Sequence, residues 1–494
     1  MTRLVTQPHA RYAQAVLVGA ALFLGGCAVG PGYARPKTPT PVSWKGRATA
    51  ETSSDVAGRW KEVAPHDAEE RGRWWEAFAD STLNGLEEQA LRSNQTLQGV
   101  AAGVLRARAV ARITAADWLP SVDASGTYTH ALRSLSSFGG VGSINTDTFS
   151  TPIDLSYELD LWGRVRRSFE AARAEAQASE AAFRTALLTL TADVATNFVV
   201  LRELDAERDI LGQTVTLREQ ALQLVEQRAA AGVVSQVDVA RVRTEVASAE
   251  SELLDVTRRR AEFENALALL CGQTASDFSV ARVALAMTPP PIPAGLPSQL
   301  LERRPDIAEA ERQMAAASAR IGIAQAAFFP VVRLTGSGGY VSTELSEVFS
   351  WDNHVWSLGP SISVPLFAGG RHVAGVKAAQ AQYQEAVANY RQRVLVVFKD
   401  VEDALANLQL RAGQSEAQGR ALASAREAAT LSMARYGQGL VSFLEVVDAE
   451  RSRLQAERAA TQVLSQRLLS TVLLIKALGG SWGPVSAAAS APLP

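Results

Sequence analysis

Two distant stretches of this chain are nearly the same line. Arg228-Ala-Ala-Ala-Gly232-Val-Val-Ser235-Gln-Val-Asp-Val239 returns as Arg435-Tyr-Gly-Gln-Gly439-Leu-Val-Ser442-Phe-Leu-Glu-Val446, shifted by 207 (439 − 232 = 207). The register holds without a gap from Gly163-Arg164 against Gly370-Arg371, through Asp193-Val194 against Asp400-Val401, to Gly272 against Gly479. Solenoid units recur at roughly 20–50 residues, so this spacing marks a duplicated half-protein. Whatever one half builds, the other builds again. The 494 residues are therefore read as one large body of two tandem structural repeats.

The repeat does not include the N-terminus. Arg3 and Arg11 precede a short apolar run, residues 13–26, that ends in Leu24-Gly25-Gly26-Cys27. The run is short for a membrane span and fits a signal peptide over 1–26. Leu-Gly-Gly-Cys resembles a bacterial lipobox, which implies a lipid on Cys27. Ala28 behind it, rather than Asp, implies the outer membrane by the same resemblance. Residues 27–72 are Pro-rich and polar and read as a lipidated tether. The first repeat then covers 73–272, a linker 273–297, the second repeat 298–480, and a disordered tail 481–494.

Within each repeat the apolar period changes. Helical patterns cover 84–117, 163–231 and 235–271, then 298–327, 371–436 and 442–478, each ending near Gly or Pro. A helix of about 69 residues is about 100 Å long, a length suited to coiled coils and tubes. The two shorter helices of a half together match the long one, so each chain supplies four helical columns. Ala171, Ala172, Ala174, Ala176 and Ala178 thin one helix for close packing. Between helices the period drops to two. Ile153, Leu155, Tyr157, Leu159 and Leu161 alternate with Asp154, Ser156, Glu158 and Asp160. Similar runs cover 122–132, 332–340 and 356–366. Strands of about ten residues with one apolar face fit outer-membrane strands, and Phe349, Trp351 and Trp356 are interfacial-type aromatics. Four strands cannot close a barrel, and an open edge cannot face lipid. The chain must oligomerise: two copies give eight strands and three give twelve. The count alone does not choose.

Composition narrows the function. Net charge is −2 with no basic block, which speaks against nucleic acid. Five His, two Cys and four Met offer little for a metal site or a thioether relay. No nucleophile–base pair stands out, so the chain is read as no enzyme and as needing no cofactor beyond the lipid.

Taken together, Cys27-Ala-Val-Gly-Pro-Gly-Tyr33-Ala-Arg-Pro36, Trp74-Trp75-Glu-Ala-Phe78, Tyr157-Glu-Leu-Asp-Leu-Trp-Gly-Arg164, Leu301-Glu-Arg-Arg-Pro-Asp-Ile307, Phe329-Pro330 and Arg435-Tyr-Gly-Gln-Gly-Leu-Val-Ser442 resemble the TolC family of outer membrane factors. The closest likeness is to its lipoprotein branch, which serves resistance-nodulation-division multidrug efflux. Asp80-Ser81 stands where the family commonly has Asp-Pro. The resemblance implies a mainly α fold with membrane β: a trimeric 12-stranded outer-membrane β-barrel continued by a 12-helix periplasmic α-barrel. The four columns agree (4 × 3 = 12). It implies a homotrimer in outer membrane lipid, a periplasmic adaptor (membrane fusion) protein and an inner-membrane resistance-nodulation-division transporter as partners. The implied function is a passive exit duct of a tripartite efflux pump, with a gated periplasmic tip. An outer membrane tunnel for type I protein secretion is the alternative, and a periplasmic scaffold that conducts nothing is a third.

The same resemblance assigns the two turns. Gly232, Val233, Val234 and Ser235, with Gly439, Leu440, Val441 and Ser442, match segments that meet the adaptor. Asp238 and Tyr436 match an acid–tyrosine bond that holds a closed gate, and Glu445 and Asp448 match lumen-facing acids. Val441 stands where some relatives carry a basic gate residue, which implies a weaker or differently built latch. Local chemistry gives a plainer reading of the same residues. Ser442-x-x-Glu445 is a capping box, Ser235-x-x-Asp238 a close variant, and Gly232 and Gly439 are natural left-handed helix ends. Arg303-Arg304-Pro305-Asp306 is expected to do a structural job near a helix start.

Overall fold

The computed structural model describes residues 28–36, 41, 44–45, 72–134, 142–290 and 304–480; Cys27, Arg303 and the tail at 481–494 lie outside them. The helices are α1 (Ser81–Ser93), α2 (Gln95–Ala116), α3 (Arg164–Ala230), α4 (Gln236–Leu270), α5 (Pro305–Ala326), α6 (Arg371–Gly437) and α7 (Phe443–Ala477). The strands are β1 (Ser121–Ala124), β2 (Thr127–Ser134), β3 (Ser143–Leu159), β4 (Val331–Ser342) and β5 (His354–Ser363). α3 and α6 are each 67 residues long, and α4 and α7 each 35. Both pairs stand at the offset of 207 (371 − 164 and 443 − 236). The chain divides into two compact units. Val104–Ser179 with Glu309–Tyr390 makes most of one, and Glu180–Ala308 with the residues from Arg391 onward makes most of the other.

The first unit holds one antiparallel sheet in the order β1/β2–β3–β4–β5. β1 and β2 share one register on β3: Ala124 faces Ile153 and Thr127 faces Ser150. They are a single strand line, interrupted opposite Pro152, which has no N–H to give. Ser125 N–H still donates to the Pro152 carbonyl at 3.0 Å. Four strand lines result, as the sequence implies, but β3 is 17 residues long rather than about ten. Its first half, Ser143–Ser150, is mostly Ser, Thr, Asn and Asp, so no apolar alternation announces it. Gly339 lies against Pro152 so closely that a Cβ there would meet the Thr151 carbonyl oxygen. The register lines up one continuous apolar face. Val122, Leu155, Gly336 and Leu358 lie abreast, as do Ile153, Gly338 and Trp356, and Leu159, Val332 and Ile362. Trp356 is 77% exposed and Ile362 69%. Rings cluster at one end of this sheet: Tyr128 stacks on Phe149 at 4.9 Å, and Tyr340 meets Phe349 at 5.8 Å. Part of the N-terminal segment also binds here. Val29 N–H donates to the Trp162 carbonyl at 3.0 Å, and Arg35 pairs with Glu311 at 3.3 Å.

The second unit is helical. Trp74, Trp75 and Phe78 open it in a 3-10 turn and pack with Leu83, Phe198, Leu267 and Val472. The helical pattern of 84–117 is broken at Asn94, whose Oδ1 accepts from Leu97 N–H at 2.8 Å while its Nδ2 donates to the Leu270 carbonyl at 2.9 Å. A side chain that bonds nearby backbone competes with the helix in this way. A buried ion network pins the following segment. Arg260 donates to Asp205 (2.5 Å), Glu264 and the Val280 carbonyl, and Arg202 donates to the Ala281 carbonyl at 2.6 Å. Buried charges bonded to one another and to backbone carbonyls in this way favour one arrangement of the segment. Pro305 is the first residue of α5, and Arg304 there pairs with Asp306 and donates to the Ala477 carbonyl at 3.0 Å. Cys271 is buried, and burial beside Glu87 pushes its thiol up to about 11. A thiol so held is not a nucleophile at neutral pH.

Candidate functional site

The two turns form by one local mechanism. Gly232 and Gly439 stand two residues past the ends of α3 and α6, with φ of 75° and 74°. This left-handed conformation suits glycine. Past each glycine the chain reaches back: Val233 N–H donates to the Arg228 carbonyl at 2.9 Å, and Leu440 N–H to the Arg435 carbonyl at 3.0 Å. These bonds satisfy helix-end carbonyls at equivalent places in both halves. Ser235 and Ser442 then open α4 and α7 with extended backbones, ψ 150° and 158°.

The side chains diverge on this shared backbone. Ser235 completes a capping box: its oxygen accepts from Val237 N–H at 3.1 Å, and Asp238 accepts from Ser235 N–H at 3.3 Å. Ser442 makes no side-chain capping bond. The capping box expected at Ser442-x-x-Glu445 is thus not formed. The backbone is poised for it, but the hydroxyl is not directed at the first-turn amides. Val233 and Leu440 are 70% and 64% exposed, Val234 and Val441 are partly buried, and Glu445 and Asp448 are both exposed.

Asp238 and Tyr436 are not bonded to each other here. Asp238 serves the cap and lies 3.9 Å from Arg241. Tyr436 is buried, its ring under the Arg228 guanidinium at 4.7 Å and edge-on to Phe443 at 5.2 Å. Its hydroxyl has no hydrogen-bond partner among the described residues. Tyr436 therefore clasps the ends of α3, α6 and α7 through its ring. A second tie lies 12 to 14 residues along the chain from these glycines. Glu245 of α4 receives Arg218 of α3 at 3.2 Å and also Arg451 of α7, and its carboxylate raises the Arg451 pKa. Arg451 also stands 4.0 Å from Asp448. Arg228, Phe443 and Glu245 were not legible as partners, because nothing in sequence spacing pairs residues that only the fold brings together. Among the described residues no cluster of three or more His, Cys, Asp or Glu could hold a metal ion.

Comparison with known proteins places this geometry. The profile described as outer membrane efflux protein matches residues 86–273 and 296–480. The chain belongs to the outer membrane efflux protein family. It is 35% identical over 466 residues to the solvent efflux pump outer membrane protein SrpC of Pseudomonas putida, covering 94% of this chain and 97% of that one. It is 35% identical over 474 residues to the outer membrane protein OprJ of Pseudomonas aeruginosa, covering 94% of each. The solved structure of the outer-membrane channel OprN superposes with a TM-score of 0.83 at 30% identity, over 93% of this chain and all of that one. Both turns fall inside the matched residues, one in each matched segment.

Proposed function

We infer that this protein is the outer membrane exit duct of a tripartite efflux pump, passing small molecules from periplasm to exterior without bond chemistry. The observation that carries this reading is the sheet. Its register gathers the apolar residues on one exposed face, and among the described residues both outer edges, β1/β2 and β5, lack a partner. Open edges cannot stand in lipid, so copies of the chain close the sheet on one another. The family resemblance favours three copies, giving a 12-stranded barrel and a 12-helix tunnel. Cys27 then carries the lipid that ties the chain to the membrane.

The exposed Val233 and Leu440 are the docking edge for a periplasmic adaptor, and an inner-membrane transporter supplies the energy. Asp238, Tyr436, Glu445 and Asp448 surround the gate. Tyr436 acts through its clasp on Arg228 and Phe443, and the acids act as charge toward the lumen. Native mass spectrometry of the full-length lipidated protein tests the assembly. The expected species is a trimer that loses its lipid mass in Cys27→Ser. A monomer or a dimer contradicts the reading.

A further inference from the structure

α1 turns four residues inward: Leu83, Leu86, Glu87 and Ala90. Three are apolar and the fourth is an acid. Glu87 is 0% exposed, and neither of its carboxyl oxygens has a hydrogen-bond partner among the described residues. The charges around α1 pair elsewhere. At exposed positions, Arg73 pairs with Glu76 at 2.9 Å and with Glu88, and Arg92 pairs with Glu88 at 2.9 Å. Asp193 of α3 and Lys476 of α7 stand 3.6 Å from each other. The titratable group set against Glu87 is the Cys271 thiol, just past the end of α4. Cys271 is also 0% exposed, with its sulfur 3.6 Å from the Leu86 carbonyl, so α1 covers it. A carboxylate taken out of water without a partner is strongly disfavoured, and the group keeps its proton instead. Burial alone pushes Glu87 up to about 9.

We propose that Glu87 is a proton-dependent latch: as the neutral acid it keeps α1 seated on the core, and loss of its proton frees α1 and uncovers Cys271. The sign follows from the two states. With α1 seated the carboxyl holds its proton up to about pH 9, and once α1 lifts into water it ionises near the ordinary value of 4.5. Opening therefore releases a proton. The seat is firmest below pH 4.5 and weakens about tenfold for each pH unit up to about 9. Acid tightens this part of the protein and alkali loosens it. The inference stands whether or not the assembled protein conducts.

Cys271 reports the opening. The full-length protein in detergent is treated with a maleimide at about pH 6, 7 and 8, and the label on the Cys271 peptide is followed by mass spectrometry in wild type and in Glu87→Gln. Once uncovered, the thiol gains reactivity with pH alike in both proteins, so the ratio of the two rates isolates the latch. Wild type over Glu87→Gln should rise about tenfold per pH unit, or about a hundredfold from pH 6 to pH 8. Glu87→Leu should show the same pH dependence as Glu87→Gln. The comparison is of pH slopes, so it holds even where a variant is less stable at every pH. Where labelling is too slow at room temperature, the temperature of half-labelling is read instead, and it should fall with pH more steeply in wild type than in either variant. A ratio that stays constant or falls between pH 6 and pH 8 overturns the proposal, because Glu87 then loses no proton when α1 lifts. Parallel half-labelling temperatures overturn it in the same way.

Discussion

The turn after α3 and the turn after α6 share a backbone and differ in what their side chains do with it. Both glycines are left-handed, and both following amides bond back to equivalent carbonyls. Yet Ser235 caps its helix and Ser442 does not. Where the first half has Ala229, the second has Tyr436, buried and clasping Arg228 and Phe443. The two turns make the same backbone connection, and only the second adds a clasping side chain. The backbone of a helix end needs only a few residue types, so it recurs readily. A clasp between helices needs one large side chain on one side and room on the other, so it need appear only once.

The largest effect expected from breaking this asymmetry is at Tyr436. Tyr436→Ala empties a packed site and removes the guanidinium contact, and should cost about 3 kcal/mol, as removal of a buried ring does. Ala229→Gly, its counterpart, should cost about 1 kcal/mol or less. Amide hydrogen exchange at Arg228 and Phe443 checks both. The shared backbone predicts a symmetrical result one step smaller. Gly232→Ala and Gly439→Ala should each cost about 1–2 kcal/mol, because an L side chain must enter the left-handed region; unequal costs in thermal unfolding would show that the turns are not equivalent. A smaller, asymmetric effect is expected at the caps. Ser235→Ala should lose about 1 kcal/mol of local stability and Ser442→Ala almost nothing. Equal losses, read by exchange at Val237 and Leu444, would mean that Ser442 caps its helix after all. Least in energy is the charge change. Glu445→Gln with Asp448→Asn should leave unfolding within about 0.5 kcal/mol while weakening block of the pore by multivalent cations, measured as single-channel current; unchanged block places those acids away from the lumen.

Much of this architecture could be read before any coordinates. The long helices were legible to within a residue or so, 163–231 against Arg164–Ala230 and 371–436 against Arg371–Gly437. Glycine at a helix end and an uninterrupted run of helix formers are both local signals. The polar half of β3 was not legible, because Ser143–Ser150 takes its strand character from pairing with β2 and β4 rather than from its own alternation. Asn94 was missed because its helix break depends on the Leu270 carbonyl, 176 residues away. At the turns the sequence located Tyr436 and Asp238 but not their contacts. Repeats align residues within a line and say nothing about which guanidinium lies over which ring. The resemblance led to the expectation of an Asp238–Tyr436 bond, and in this structure each of the two has other company.

Two properties are claimed for this part of the molecule: the turns gate a pore, and Tyr436 is the fastener. Single-channel recording of the full-length protein in planar bilayers tests both at once. The prediction is that wild type opens small, brief pores, that Tyr436→Ala raises the conductance or open time several-fold, and that Ser442→Ala does neither. An absence of pores in both wild type and Tyr436→Ala, or identical conductance in the two, would contradict it.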